Sequence, residues 1–151
     1  MRRPEFIAGP GSTAAWPAVV RAQQPAIPVI GYLDAGSLET RREVVAALHR
    51  GFSETGYVEG RNLAVEYRWA EERLDRLPAL AADLVRRQVA LIVAAPTPAA
   101  VAAKAATRLI PIVFLTGSDP VEAGLVASLN RPGANLTGIS ALITALAGLT
   151  R

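Results

Sequence analysis

An open α/β sheet of about five parallel strands, with helices on both faces, is what this sequence predicts, and three observations predict it. From Ile27 onward, short β-branched runs alternate with longer stretches at helical spacing, the pattern of strands joined by crossover helices. The runs "LIVAA" (91–95) and "PIVFL" (111–115) are apolar at every position, as strands covered on both sides must be. The connections between these stretches are short, which favours right-handed crossovers within one sheet.

Taken in order, the strands are expected at Val29 to Leu33, Leu63 to Trp69, Ala90 to Ala94, Ile112 to Leu115 and Leu136 to Ile139. Between the first two, Val44, Leu48 and Phe52 recur at four-residue steps and give one helix a single apolar stripe. Thr40 with Glu43 has the spacing of a capping box at its start, and Gly56 and Gly60 end it. Leu74, Leu77, Ala81 and Leu84 mark the second helix, and Thr97-Pro98 begins the third. Val121, Leu125 and Leu129 predict a fourth, opened by a second box of Asp119 with Glu122 and by Pro120 at the first helical position, where a missing N–H costs nothing. By analogy with Rossmann-like sheets the strand order is expected to be 2-1-3-4-5.

The 151 residues have room for one domain with a core. About half of them, 51%, are apolar and 19% are charged, a globular balance. The basic residues are arginines apart from Lys104, and they are scattered rather than gathered into a tract, so a nucleic-acid partner is not expected. The absence of cysteine excludes disulfides, thiolate catalysis and cysteine zinc sites. Residues 1–22 read as a degenerate signal peptide with twin-arginine character. Arg2-Arg3 supplies the basic start and Ala22-Gln23 the cleavage point, while Gly9, Pro10 and Pro17 break the apolar middle. Residues 23–151 form the domain.

Several chemistries lack their residues. The first strand is followed by "DAGSLET", which has neither GxGxxG nor GxxxxGK[ST], so nucleotide binding is not expected. No GxSxG elbow is present, and the single histidine, His49, reads as a solvated helix position. No His/Asp/Glu cluster has metal-ligand spacing; no catalytic residue, metal or cofactor is expected.

A ligand of an open α/β sheet binds beyond the carboxyl ends of the strands, where loops combine free amides with helix N-termini. Those loops are "DAGS" (34–37), "WAEE" (69–72), "APTPAA" (95–100) and "TGSDPVE" (116–122). Thr97, Pro98 and Ala99 open a helix with no acid nearby, leaving its positive end for an anion. Asp119 and Pro120 open one whose amides are already taken by acids, which suits an ammonium or hydroxyl. Together they are expected to suit a small zwitterion. The alternative is that Thr97 and Asp119 serve as caps alone.

The stretches "GFSETGYVEGRNLAVEYRWAEERLDRLPALAADLVRRQVALIVA", "IPIVF" and "DPVEAGLVASLNRPGANLTGIS" closely resemble the N-terminal half of the ABC transporter substrate-binding protein family. The resemblance runs from Pro28 to Ser140, and "PEFIAGPGSTAAWPAVVRAQQP" is similar to the family's leader. It implies one lobe of a type I periplasmic-binding fold and a receptor for a small polar solute such as an amino acid, which it hands to an ABC permease in the inner membrane. The implied pocket wall is the set of loops around Ser37, Thr97 and Asp119, with proline at Pro96 where the family often has glycine. The resemblance further implies a periplasmic address, a chain truncated before its second lobe, and a missing lobe encoded separately. The alternatives are a cytoplasmic ligand-sensing domain of the same fold and a non-functional fragment.

Overall fold

A computed structural model describes residues 26–130 and 133–140. The leader 1–22, the Ala22-Gln23 cleavage point and the stretch 141–151 lie outside the described residues. The five strands are β1 (Val29–Asp34), β2 (Ala64–Trp69), β3 (Leu91–Ala95), β4 (Ile112–Thr116) and β5 (Leu136–Ser140). The helices are α1 (Arg42–Glu54), α2 (Leu77–Arg86), preceded by a 3-10 turn at Leu74–Arg76, and α3 (Thr97–Ala106). Every strand pairs in parallel and the order is β2-β1-β3-β4-β5, the order expected by analogy with Rossmann-like sheets. Strand ends differ from expectation by a residue at most, because the apolar runs that mark them are short and sharply bounded.

The alternation of side chains across the pleat divides the core into two. On one face, Leu33, Ile92, Ala94, Ile112, Phe114 and Leu136 pack against Leu77, Ala81 and Leu84 of α2 and Ala99, Ala100 and Ala103 of α3. The alanines let α3 lie close to the sheet. Gly31 does the same for α2: a Cβ there would meet Leu84 Cδ1 and Cδ2 at 3.0 Å. On the other face Ile30, Tyr32, Leu63 and Val93 are covered by Leu48 and Phe52 of α1, with Tyr67 and Trp69 of the edge strand β2 beside them.

Edge strand β2 is tied to α2 by charge as well as by packing. Arg68 donates through Nε to Asp83 Oδ2 at 2.8 Å and lies 3.2 Å from Glu66, while Arg86 and Arg87 close on Asp83 at 3.0 and 3.5 Å. The hydrogen bond from Arg68 is the chief cause holding the Asp83 carboxyl below the usual range.

Two expectations fail here. The helix expected from Val121 to Leu129 is a succession of turns. Asp119 does accept the N–H groups of Val121 and Glu122, at 2.8 and 3.3 Å, but Gly124 takes φ +72° and stops the winding after one turn. Its supposed stripe is split accordingly, with Leu125 2% exposed and Leu129 66%. The box of Thr40 with Glu43 does not form. Thr40 turns back instead: its Oγ1 accepts the Ser37 N–H at 3.1 Å, and its own N–H donates to Ser37 Oγ at 3.3 Å. The reciprocal box therefore sits one turn earlier, and Arg41 N–H to Ser37 O at 3.0 Å opens the winding that leads into α1.

Candidate ligand-binding site

Because all five strands are parallel, their carboxyl ends share one edge of the sheet, and the loops that leave it are laced together. After β1, Ala35 N–H donates to Ala95 O at 3.2 Å across to β3. On the other side Glu71 and Glu72 donate their N–H groups to Gly36 O and Ala35 O at 3.0 and 2.8 Å. Both glutamates hold positive φ, +55° and +63°, a conformation that L-residues rarely adopt. Gly36 is required by crowding: a Cβ there would stand 2.9 Å from Thr40 Oγ1 and 3.1 Å from Glu72 Oε1.

The residues singled out in the sequence fall into two groups at this edge. Ser37 belongs to the first, the box with Thr40 described above. Thr97 belongs to the second. It is the first residue of α3 but makes no cap bond to the helix. Its hydroxyl bonds Thr116 Oγ1 at the end of β4 and reaches Ser118 Oγ at 3.3 Å. Thr116 Oγ1 accepts the Ser118 N–H at 3.0 Å, and Ser140 Oγ donates to Ser118 O at 3.0 Å, so three strand ends meet in one hydroxyl cluster. Asp119 follows directly and caps the next turn. Pro120 is buried and accepts Leu125 N–H on its carbonyl at 2.9 Å.

The start of α3 offers fewer amides than its sequence promises. Pro98 has no N–H, and the Ala99 and Ala100 amides both donate to Pro96 O, at 3.0 and 3.2 Å. Ala99 is fully buried and Pro98 exposed, so Thr97 carries the polar character of this loop. The hydroxyls of Thr116 and Ser118 were not picked out as site residues, although both stand in the loop stretch that was. What would have marked them is the recurrence of a hydroxyl at the ends of both β3 and β4.

An aromatic group stands on β1 and β2, on the face that α1 covers. Tyr32, Tyr67 and Trp69 have ring centroids 5.3 to 6.0 Å apart, with Tyr67 and Trp69 stacked at 3°. Burial, then the charge of Asp34, pushes the Tyr32 hydroxyl far above its usual range; its OH donates to Asp34 Oδ2 at 2.9 Å. Tyr67 is pushed up to about 12, mainly by burial and then by Glu59, to which its OH donates at 3.2 Å. With that hydrogen committed, Tyr67 accepts from His49 Nε2 at 2.6 Å, the tautomer being assigned by this network. His49 is half-exposed, as a solvated helix position should be, yet it is not idle: it fastens α1 to β2 and lies 3.0 Å from Glu59.

Residues 26–147 match the family model for ABC transporter substrate binding protein. A curated relative from Clostridioides difficile, described as a tyrosine-binding protein, is 38% identical over 91 residues, which is 60% of this chain and 26% of the relative. Among solved structures, a ligand-free, open substrate-binding protein with adhesive properties from Clostridium difficile superimposes with a TM-score of 0.71 at 30% identity. A conserved domain protein from Vibrio cholerae gives 0.72 at 32%, and an ABC domain in complex with L-Trp from Streptococcus pneumonia gives 0.70 at 28%. Each of these covers 76% of this chain and 39% of the solved one, so the chain spans well under half the length of the relatives it matches. The parallel sheet, its strand order and the match over 26–147 agree on one conclusion: the chain belongs to the ABC transporter substrate-binding protein family.

Proposed function

We propose that this chain supplies one wall of a solute receptor: the loops around Ser37, Thr97 and Asp119 receive a small polar solute of the amino-acid class, which the receptor hands to an ABC permease. The observation that carries this reading is the hydroxyl cluster of Thr97, Thr116, Ser118 and Ser140, set at the carboxyl ends of three neighbouring strands beside the laced loops of β1 and β2. That edge is where open α/β sheets bind ligands. The role is binding rather than catalysis. A leader cut after Ala22 would place residues 23–151 in the periplasm, and a second lobe facing this wall would close over the solute.

The described relatives include a tyrosine-binding protein and a domain in complex with L-Trp, which makes aromatic amino acids the first ligands to try. A wall that covers its ligand from one side holds it weakly, since small solutes gain most of their affinity from burial on several sides. Calorimetric titration of the full chain with L-tyrosine, L-tryptophan and a panel of other amino acids tests the proposal. Saturable heat with at least one of them, reduced by Thr97→Val, supports it; no saturable heat from any overturns it. Fractionation tests the address: uncleaved chain found only in the cytoplasm removes the periplasmic part.

A further inference from the structure

We infer that Arg41 is the group that receives the carboxylate of the solute, and that Asp34 is its positioning residue. The inference rests on the solute-site reading above and names the contact that confers amino-acid specificity.

Asp34 ends β1 and is fully buried. Three donors converge on its carboxylate: Tyr32 OH at 2.9 Å on Oδ2, and on Oδ1 the Gly36 N–H at 2.8 Å and Arg41 Nε at 3.2 Å. Burying a carboxylate is costly unless it is paired and hydrogen-bonded, and here it is both. The consequence for Arg41 is orientation. Its guanidinium is held by Nε, while 35% of the side chain remains exposed. A guanidinium carries five N–H donors in a planar fork, and Asp34 takes the one on Nε. Among the described residues, neither Nη1 nor Nη2 of Arg41 has an acceptor within hydrogen-bonding distance. The two terminal nitrogens form the edge that grips a carboxylate with two parallel bonds. Anchoring by Nε fixes that edge in advance, so little rotamer freedom is lost when a ligand arrives.

Charge around the fork points to a zwitterion rather than a simple anion. Glu72 Oε1 and Arg41 Nε stand 3.1 and 3.3 Å from the point where a Cβ of Gly36 would lie, one acid and one base beside a residue with no side chain. Among the described residues Glu72 forms no ion pair, and it is Asp34 that balances the charge of Arg41. A lone anion would meet its repulsion, whereas an amino acid brings an ammonium to face it. The start of α3, with its prolines and occupied amides, offers an anion far less.

The test compares ligands that differ only in the carboxylate: L-tyrosine against tyramine, and L-tryptophan against tryptamine, titrated into the full chain. The parent is expected to bind the amino acid at least about tenfold more tightly than its amine, the scale of a charge-assisted hydrogen bond. Arg41→Gln should bring that ratio to within about twofold, and Arg41→Lys should retain part of it. Because Arg41→Gln leaves Asp34 buried without its cation, the double variant Asp34→Asn/Arg41→Gln serves as a folded comparator and should also lose the ratio. If the parent binds the amino acids and either glutamine variant keeps the parent's ratio, Arg41 is only the counterion of Asp34 and the inference fails, while the solute-site reading stands. A parent that binds none of the four compounds overturns both.

Discussion

Replacing Gly31 and Leu84, singly and together, tests whether contact between β1 and α2 fixes the floor of the site. Leu84 is fully buried, and trimming it to alanine deletes three carbon groups at ~0.8 kcal/mol each and leaves a cavity, for about 3–4 kcal/mol in all. Gly31→Ala places a methyl 3.0 Å from both Cδ atoms of Leu84 and 3.3 Å from its Cγ, tighter than ordinary packing. Overpacking of this kind costs about 1–3 kcal/mol, offset in part by ~0.5–1 kcal/mol from removing a strand glycine. In the double variant the new methyl enters space that Leu84 has vacated, so the clash disappears and the cavity shrinks. The double variant should therefore be more stable than the sum of the single effects by about 1–2 kcal/mol. Equilibrium urea unfolding followed by far-ultraviolet circular dichroism measures all three. Additivity within about 0.5 kcal/mol would refute the claim that these two residues set the distance between helix and strand.

Three further outcomes follow from the described contacts. Asp119→Ala removes the acceptor of two first-turn amides and should cost about 1 kcal/mol in urea unfolding, with Asp119→Asn nearly neutral; equal losses in both would mean that the cap is not the cause. Tyr67 is raised to about 12 in the folded chain by burial and then by Glu59, so the stability it contributes is fully present below pH 10, where the unfolded tyrosine also keeps its proton. Stability should fall as pH rises from 10 towards 12, and Tyr67→Phe should flatten that fall; an unchanged profile in the variant would show that Tyr67 is not responsible. Asp83 is lowered from 3.8, chiefly by the Arg68 hydrogen bond, so its contribution is present above that value and lost as pH falls through the lower folded one. Asp83→Asn should remove part of the acid-induced loss of stability below pH 4, read from the unfolding midpoint at a series of pH values.

The strands were legible in the sequence because most are short β-branched or apolar runs bounded by polar turns, their order only by analogy with Rossmann-like sheets, and each of the three helices shows its own signal: apolar stripes in α1 and α2, Thr97-Pro98 in α3. Periodicity is local, and burial of those stripes is nearly the whole driving force, so little else competes. The same logic overreached at Val121 to Leu129. Three apolar residues at helical spacing and a good cap were present, but Gly124 in the left-handed region ended the helix after a turn. Capping was misplaced for a related reason: Ser37 and Thr40 satisfy each other before Glu43 can take part.

The candidate site divides along the same line. Where the loops stand was readable, because parallel strands must place all their carboxyl ends on one edge; Thr97 and Asp119 could be named from the helix starts they mark, whereas Ser37 came from the family resemblance. What those side chains do was decided only by the fold. Thr97 and Thr116 are 19 positions apart, and the pairing of β3 with β4 makes them partners. Nothing in the spacing of the sequence marks Arg41; only the fold sets the buried carboxylate of Asp34, at the end of β1, against its Nε. Hydrophobic spacing is a property of neighbours along the chain, whereas hydrogen-bond satisfaction depends on groups that only tertiary structure brings within 3 Å of one another. The sequence by itself determined the strands and the edge on which their carboxyl ends lie; tertiary structure fixed the order of the strands and decided how the donors and acceptors at that edge pair.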